Sequence, residues 1–240
     1  MANYRHPRPE AEEESSNTLT QRVYDSLRQE ILGGGLRPGH RLVRRALSKR
    51  LGVSPMPITE ALFRLELDGL VESKPLYGCR VRALSMEDVQ NDEILREAIE
   101  CQAARCCAEQ ATDMDIVRLQ TKARVLDRMM LDGDPHSNLG TETHREFHQA
   151  VACYAGFPRL ADELQRVWFR RLMRLNWLKA MQYQPVPGDW HQTLVAAIAS
   201  RDPDEAEAKM RAHVRFGCEY DREALKDLLE HEKDFAARDD

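Results

Sequence analysis

Val23, Leu27 and Ile31 fall four residues apart, and Gly33, Gly34 and Gly35 break the pattern just after them. This spacing predicts an amphipathic helix that begins near Thr18 and stops at the glycines. A short loop with Pro38 and Gly39 follows, and Leu42, Ala46, Leu47 and Leu51 predict a second, shorter helix ended by Gly52. Ser54 is placed to cap a third helix, with Pro55 and Pro57 in the first turn, where backbone N–H groups lack helical partners in any case. Ile58, Ala61, Leu62, Leu65 and Gly69 trace its inner face. Two short helices around "LGVS" have the dimensions of a helix-turn-helix. In "LVESKPLYGCRVRAL", β-branched residues flank Pro75 and Gly78 and predict a two-stranded hairpin, the wing of a winged helix.

From Ser85 onward the period is helical throughout, and six stretches are predicted: roughly 86–110, 113–131, 140–154, 158–182, 189–200 and 203–230. The breaks "DGDPHSN", "AGFP", "PVPGD" and "RDPD" separate the later ones. The expected fold class is therefore mainly α. A disordered tail (1–17) precedes a winged helix-turn-helix (18–82), and an all-α six-helix bundle (83–235) follows.

Charge sharpens this division. Residues 18–82 carry 12 Lys and Arg against 6 Asp and Glu, a balance of +6, whereas the tail stands at −2 and the remainder at −9. A basic first third on an acidic body predicts that one domain meets a polyanion and the other does not. No apolar run approaches the roughly 18 residues of a membrane span, and no apolar signal core opens the chain, so a cytoplasmic protein is expected. The cysteines Cys79, Cys101, Cys106, Cys107, Cys153 and Cys218 form no C-x-x-C pair, and Cys101, Cys106 and Cys107, among alanines in one predicted helix, read as small buried thiols.

"HREFH" places His144 and His148 on one helical face, able to share an ion. In the zinc-protease signature H-E-x-x-H the glutamate next to the first histidine is the general base. Here that position is Arg145, and Glu146 is turned roughly 100° further round the helix. No catalytic residue is assigned. His191 leads Leu194, Val195 and Ile198 on an apolar stripe, and His213 falls among Ala206, Met210, Val214 and Gly217 in the same way. Four inward histidines from three helices are expected to converge. Each is either a hydrogen-bonded core residue or one ligand of a shared divalent cation.

At this point the sequence resembles a known family. "ILGGGLRPGHRLVRRALSKRLGVSPMPITEALFRLELDGLVESKPLYGCRV" is similar to the winged helix-turn-helix of GntR-family transcriptional regulators. "ILREAIECQAARCCAE", "FHQAVACYAGFPRL" and "WHQTLVAAIASRDPDEAEAKMRAHV" are similar to the C-terminal (FCD) domain of its FadR-like branch, in the six-helix, VanR-like form. The resemblance implies a homodimeric bacterial repressor or activator on a double-stranded DNA operator, with half-sites about one turn apart. It also implies a small carboxylic acid effector that alters operator affinity from the C-terminal domain.

Residue by residue, Arg45 matches a usual DNA contact, Ser54 the serine opening the recognition helix and Gly78 the wing-tip glycine. Arg44, Lys49, Arg50, Met56, Thr59 and Arg64 complete the candidate DNA-contacting set. Pro55 and Thr59 stand where arginines are common, and neither can make a bidentate guanine contact, so direct readout departs from the family. Metal-binding members use one aspartate and three histidines. His148, His191 and His213 match the histidines, and His144 replaces the aspartate. An all-imidazole set favours Zn²⁺, with Ni²⁺ as second choice, over hard cations. Arg96 matches an arginine that faces the effector carboxylate, and its alternative partner is Glu100, one turn on. Two other readings are weighed: a metallohydrolase, which leaves the helix-turn-helix unexplained, and a regulator whose bundle only dimerises and holds no metal.

Overall fold

The computed structural model describes residues 19–74, 78–83, 85–132, 138–177 and 188–236. The predicted tail and the wing residues 75–77 lie outside them. The chain divides into two compact units, one ending at Arg82 and the next beginning at Ala83. No helix among the described residues is long and apolar enough to cross a membrane.

The first unit runs α1 (Leu19–Leu32), β1 (Arg41–Leu42), α2 (Arg44–Leu51), α3 (Pro55–Leu67), β2 (Val71–Lys74) and β3 (Gly78–Val81). Val23, Leu27 and Ile31 are buried, as their spacing requires, and α1 packs on α3, whose Ile58, Ala61, Leu62 and Leu65 are buried too. The hairpin is the wing, but it belongs to a three-stranded antiparallel sheet of order β1-β3-β2. β1 is a correction: Leu42, expected to open the second helix, lies in a strand before α2, where Arg41 pairs with Arg80 and Leu42 with Cys79. A two-residue strand shows no alternation to read, and backbone pairing with β3 alone creates it. In α2 only Leu47 is buried, and Ala46 faces solvent. Gly52 ends α2 at φ +66°, a left-handed conformation that suits glycine, and its N–H bonds Ser48 O.

Ser54 occupies the N-cap of α3 with extended backbone, yet its side chain makes no capping bond. The cause lies in the next residues. A capping hydroxyl accepts from the second or third helical N–H, and the third position here is Pro57, which has none, so Met56 N is the one donor left to it. Ser54 is exposed.

The second unit packs six helices among the described residues: α4 (Met86–Gln110), α5 (Asp113–Asp132), α6 (Asn138–Tyr154), α7 (Pro158–Trp177), α8 (Trp190–Ala199) and α9 (Pro203–Ala236). Residues 178–182 of the expected fourth stretch lie outside the described residues. α4 opens on a Ser85 cap whose Oγ accepts from Asp88 N at 3.0 Å. Along α4 the buried small residues Cys101, Ala103, Ala104, Cys107 and Ala108 let neighbours approach closely, and α6, α7 and α9 all pack on it. Burial pushes the Cys101 and Cys107 thiols up to about 12, so they stay protonated core groups. Phe147, Trp168, Leu119, Leu126, Leu164 and Leu194 fill the centre.

Candidate DNA-binding surface and metal centre

Arg44, Arg45 and Lys49 project from the exposed side of α2, and Ser54, Met56 and Thr59 from the start of α3. The other two candidate arginines have protein partners. Arg50 grips Glu30 through two hydrogen bonds, at 2.7 and 3.0 Å. Arg64 donates to Gln21 Oε1 at 2.8 Å, and its guanidinium lies 4.2 Å from the Tyr24 ring centre. It therefore ties α3 to α1. Tyr24 in turn donates its hydroxyl to Asp68. Gly78 opens β3 at φ +79°, where L side chains are strained.

In the second unit, α6 supplies His144 and His148, α8 supplies His191 and α9 supplies His213. One nitrogen from each ring can be chosen so that all four lie within 4.8 Å of one another. His148 Nε2 lies 2.9 Å from His144 Nε2 and 3.2 Å from His213 Nε2. His148, His191 and His213 are buried and His144 partly so.

Two carboxylates stand behind the rings. His191 Nδ1 lies 2.7 Å from Asp127 Oδ1. Asp127 is itself held by the backbone N–H groups of His191 (2.9 Å) and Gln192 (3.1 Å) and by the Gln192 amide. His148 Nδ1 meets Glu100 Oε2, while Glu100 Oε1 accepts from Arg96 Nε at 2.7 Å and Trp168 Nε1 at 3.2 Å. A carboxylate at Nδ1 holds the proton there and turns the Nε2 lone pair towards the cluster, which orients metal-binding histidines and raises their basicity.

Electrostatics agrees with that arrangement. Burial pushes the pKa of all four rings below the ordinary histidine value, His144 and His213 well below it. Neutral imidazoles are the form that coordinates metals. Burial works against the Glu100 carboxylate, but His148 and the Arg96 guanidinium overcome it and hold its pKa at about 2. His191 Nε2 is buried with no hydrogen-bond partner among the described residues. An orphaned acceptor beside three other imidazoles is a fit for a divalent cation.

Arg96 is 3% exposed, and its Nε is committed to Glu100, so the one-turn ion pair forms. Its Nη2 points elsewhere. A Cβ built on Gly217 would lie 3.9 Å from Arg96 Nη2 and 4.0 Å from Arg171 Nη2, so both guanidinium ends reach the recess this glycine leaves. Both also lie over the Trp168 ring. Arg170 and Arg174, which sequence cannot tell from Arg171, instead clasp Asp92 at 2.8 and 2.6 Å. A small pocket of about 60 Å³ lined by Trp190, Leu194, Lys209, Ala212 and His213 adjoins the cluster.

Glu146 is exposed, 3.7 Å from Lys122 Nζ, and has no place beside the histidines. The protease-like signature is thus empty of a base. Sequence reasoning missed Asp127 and the bracing role of Glu100. A signal existed: Asp127 lies four residues from Ala123 and eight from Leu119, on the buried stripe of α5. A carboxylate on an apolar stripe needs a buried partner.

Comparison with known proteins places both units. Residues 19–81 match the family described as bacterial regulatory proteins, gntR family, and residues 93–216 match the FCD domain. The chain is 26% identical over 204 residues to the HTH-type transcriptional repressor RspR of Escherichia coli K12, covering 82% of this chain and 86% of that protein. It is 26% identical over 161 residues to the HTH-type transcriptional regulator McbR of the same strain, covering 67% of this chain and 72% of McbR. The solved structure of E. coli McbR/YncC superposes with a TM-score of 0.67 at 22% identity, over 91% of this chain and 99% of that one. With a winged helix-turn-helix matched over its first unit and an FCD domain over its second, the chain belongs to the GntR family and is a DNA-binding transcriptional regulator.

Proposed function

We propose that this regulator holds a divalent cation on His144, His148, His191 and His213 and uses it, with Arg96, to bind a small carboxylate effector that alters operator affinity. The observation that carries the reading is the convergence of four neutral imidazoles, two of them backed by Glu100 and Asp127. Nitrogen-only ligands suit Zn²⁺ first and Ni²⁺ second. With His144 where the family has an aspartate, the ligands bring no charge of their own, and the ion's double charge stays available to an anion. When bound, the cation supplies a Lewis-acid anchor for one effector oxygen. The Arg96 and Arg171 guanidinium ends at Gly217 supply hydrogen-bond donors of the kind that grip carboxylates.

In the first unit, Arg44, Arg45 and Lys49 neutralise operator phosphates and the exposed Ser54 hydroxyl contacts the backbone at the groove edge. α3 enters the major groove and the Gly78 turn brings the wing to the minor groove. A homodimer presents two such units to half-sites about one turn apart. The effector changes affinity because it binds one conformation better than the other.

Metal analysis of the purified protein beside His148→Ala and His213→Ala tests the centre. About one zinc ion per chain is expected in the parent and a clear deficit in both variants. Equal content in all three refutes the shared ion. Arg45→Ala is expected to weaken operator binding and to lower the salt slope by about one; unchanged affinity and slope would remove Arg45 from the interface.

A further inference from the structure

α3 turns an apolar stripe outward. With Ile58, Ala61, Leu62 and Leu65 buried, Met56, Thr59, Glu60, Phe63 and Leu67 share the opposite side within a sector of about 100°. Met56 is 65% exposed, Phe63 60% and Leu67 59%. The polar members are already engaged: Thr59 Oγ1 donates back to Pro55 O at 3.0 Å, and Glu60 accepts from Thr20 Oγ1 at 2.7 Å. The helix holds one cation, Arg64, which is bound to Gln21 and Tyr24, and no asparagine or glutamine.

The four bases ask for different partners in the major groove. Guanine takes paired donors from Arg or Lys, adenine takes the amide of Asn or Gln, cytosine N4 donates to the carboxylate of Asp or Glu, and the thymine C5-methyl group takes an apolar contact. The outward stripe supplies the last kind at Met56 and Phe63, its one carboxylate, Glu60, is turned to Thr20, and the exposed cations Arg44, Arg45 and Lys49 of α2 supply attraction for the phosphates alongside. Met56 and Phe63 are seven residues apart, about 10 Å along the axis, within the span of adjacent base pairs that one recognition helix covers. Leu67 is a further turn on, towards the end of α3.

We propose that α3 selects its operator through the C5-methyl groups of thymines, with Met56 and Phe63 as the specificity-determining contacts. The inference rests on α3 being the helix that enters the groove. Exclusion of guanine contacts follows from the same chemistry, and the preferred half-site is thymine-bearing where α3 reads it.

The test begins with selection from a random duplex library by the full-length protein. The recovered site is then resynthesised with uracil replacing thymine at one position at a time, which removes only the methyl group, and Kd is measured by fluorescence anisotropy at fixed salt. Uracil is expected to weaken binding about four-fold at each contacted thymine. Met56→Ala or Phe63→Ala, both at exposed positions, is expected to abolish that difference at its own thymine. The proposal is overturned if uracil and thymine bind alike everywhere, or if both variants keep the full discrimination. It is also overturned if Phe63→Ala changes the oligomeric state and leaves DNA affinity unaltered, which would make the stripe a protein contact. A library that yields no preferred site has a different meaning, because it removes α3 from operator recognition altogether.

Discussion

A recognition helix in the first unit and a bundle interior in the second break the usual rule of burial in opposite directions. In the first, the outward face of α3 carries Met56, Phe63 and Leu67 into solvent. In the second, Asp92, Arg96, Glu100, Asp127, His148, His191 and His213 are drawn inside. Scattered exposed apolar residues are common, but a stripe of them on a recognition helix and a connected group of buried polar residues are both informative. Each costs the isolated fold something, and each prepares a surface or cavity for another molecule. The difference lies in the ligand: a groove wall can cover apolar side chains, while a cation or an anion completes a polar interior.

The comparison breaks most sharply in the second unit if its polar interior proves dispensable. Glu100→Gln leaves the Arg96 charge buried and removes an acceptor from His148. An unfolding loss of roughly 3–5 kcal/mol is expected from denaturant titration. A change below about 1 kcal/mol would mean the network relaxes freely. Removing metal by chelation is expected to lower stability by up to about 4 kcal/mol when free metal had stood at a thousand times its Kd, read as a fall in Tm that added zinc reverses. A chelator-insensitive Tm would leave the histidines as a purely structural set.

The first unit offers a smaller effect through Tyr24. Burial, then the Asp68 carboxylate that accepts its hydroxyl, pushes the Tyr24 pKa up to about 12. A raised pKa contributes stability that is intact below about pH 10, the unfolded value, and is lost as pH climbs through about 12. Over that window the parent is expected to lose roughly 2–3 kcal/mol more than Tyr24→Phe, measured by denaturant midpoints at stepped pH. Parallel curves would remove Tyr24 from the alkaline transition. The smallest effect belongs to Ser54. Because its hydroxyl caps nothing, Ser54→Ala is expected to change stability by less than about 0.5 kcal/mol, where a working cap costs about 1. Weakened operator binding at unaltered stability would confirm that the residue serves DNA.

Much of this architecture is legible in linear order. The four-residue spacing in α1, the proline-marked start of α3 and the long 3.6-period of the second unit are local patterns, and local hydrogen bonding makes them visible. The four histidines were also readable, since each lies on an apolar stripe of its own helix. Beyond the convergence of those histidines, the pairings between distant segments are not legible in linear order. β1 exists only through β3. Asp127 reaches His191 across 64 residues, and Trp168 shares Glu100 with Arg96 across 68. Arg64 meets Gln21 and Tyr24 of α1 across 43 and 40 residues.

The sequence by itself determined the helices, the two-part organisation, the winged motif and the inward placement of four imidazoles, because periodicity decides which side of a helix is buried. Tertiary structure alone decided where each charge is directed. Among the near-identical arginines of α7 it set Arg170 and Arg174 on Asp92 and Arg171 towards Gly217. Side chains of equal chemistry acquire different roles only when another helix supplies the partner, and no spacing within one helix encodes that meeting.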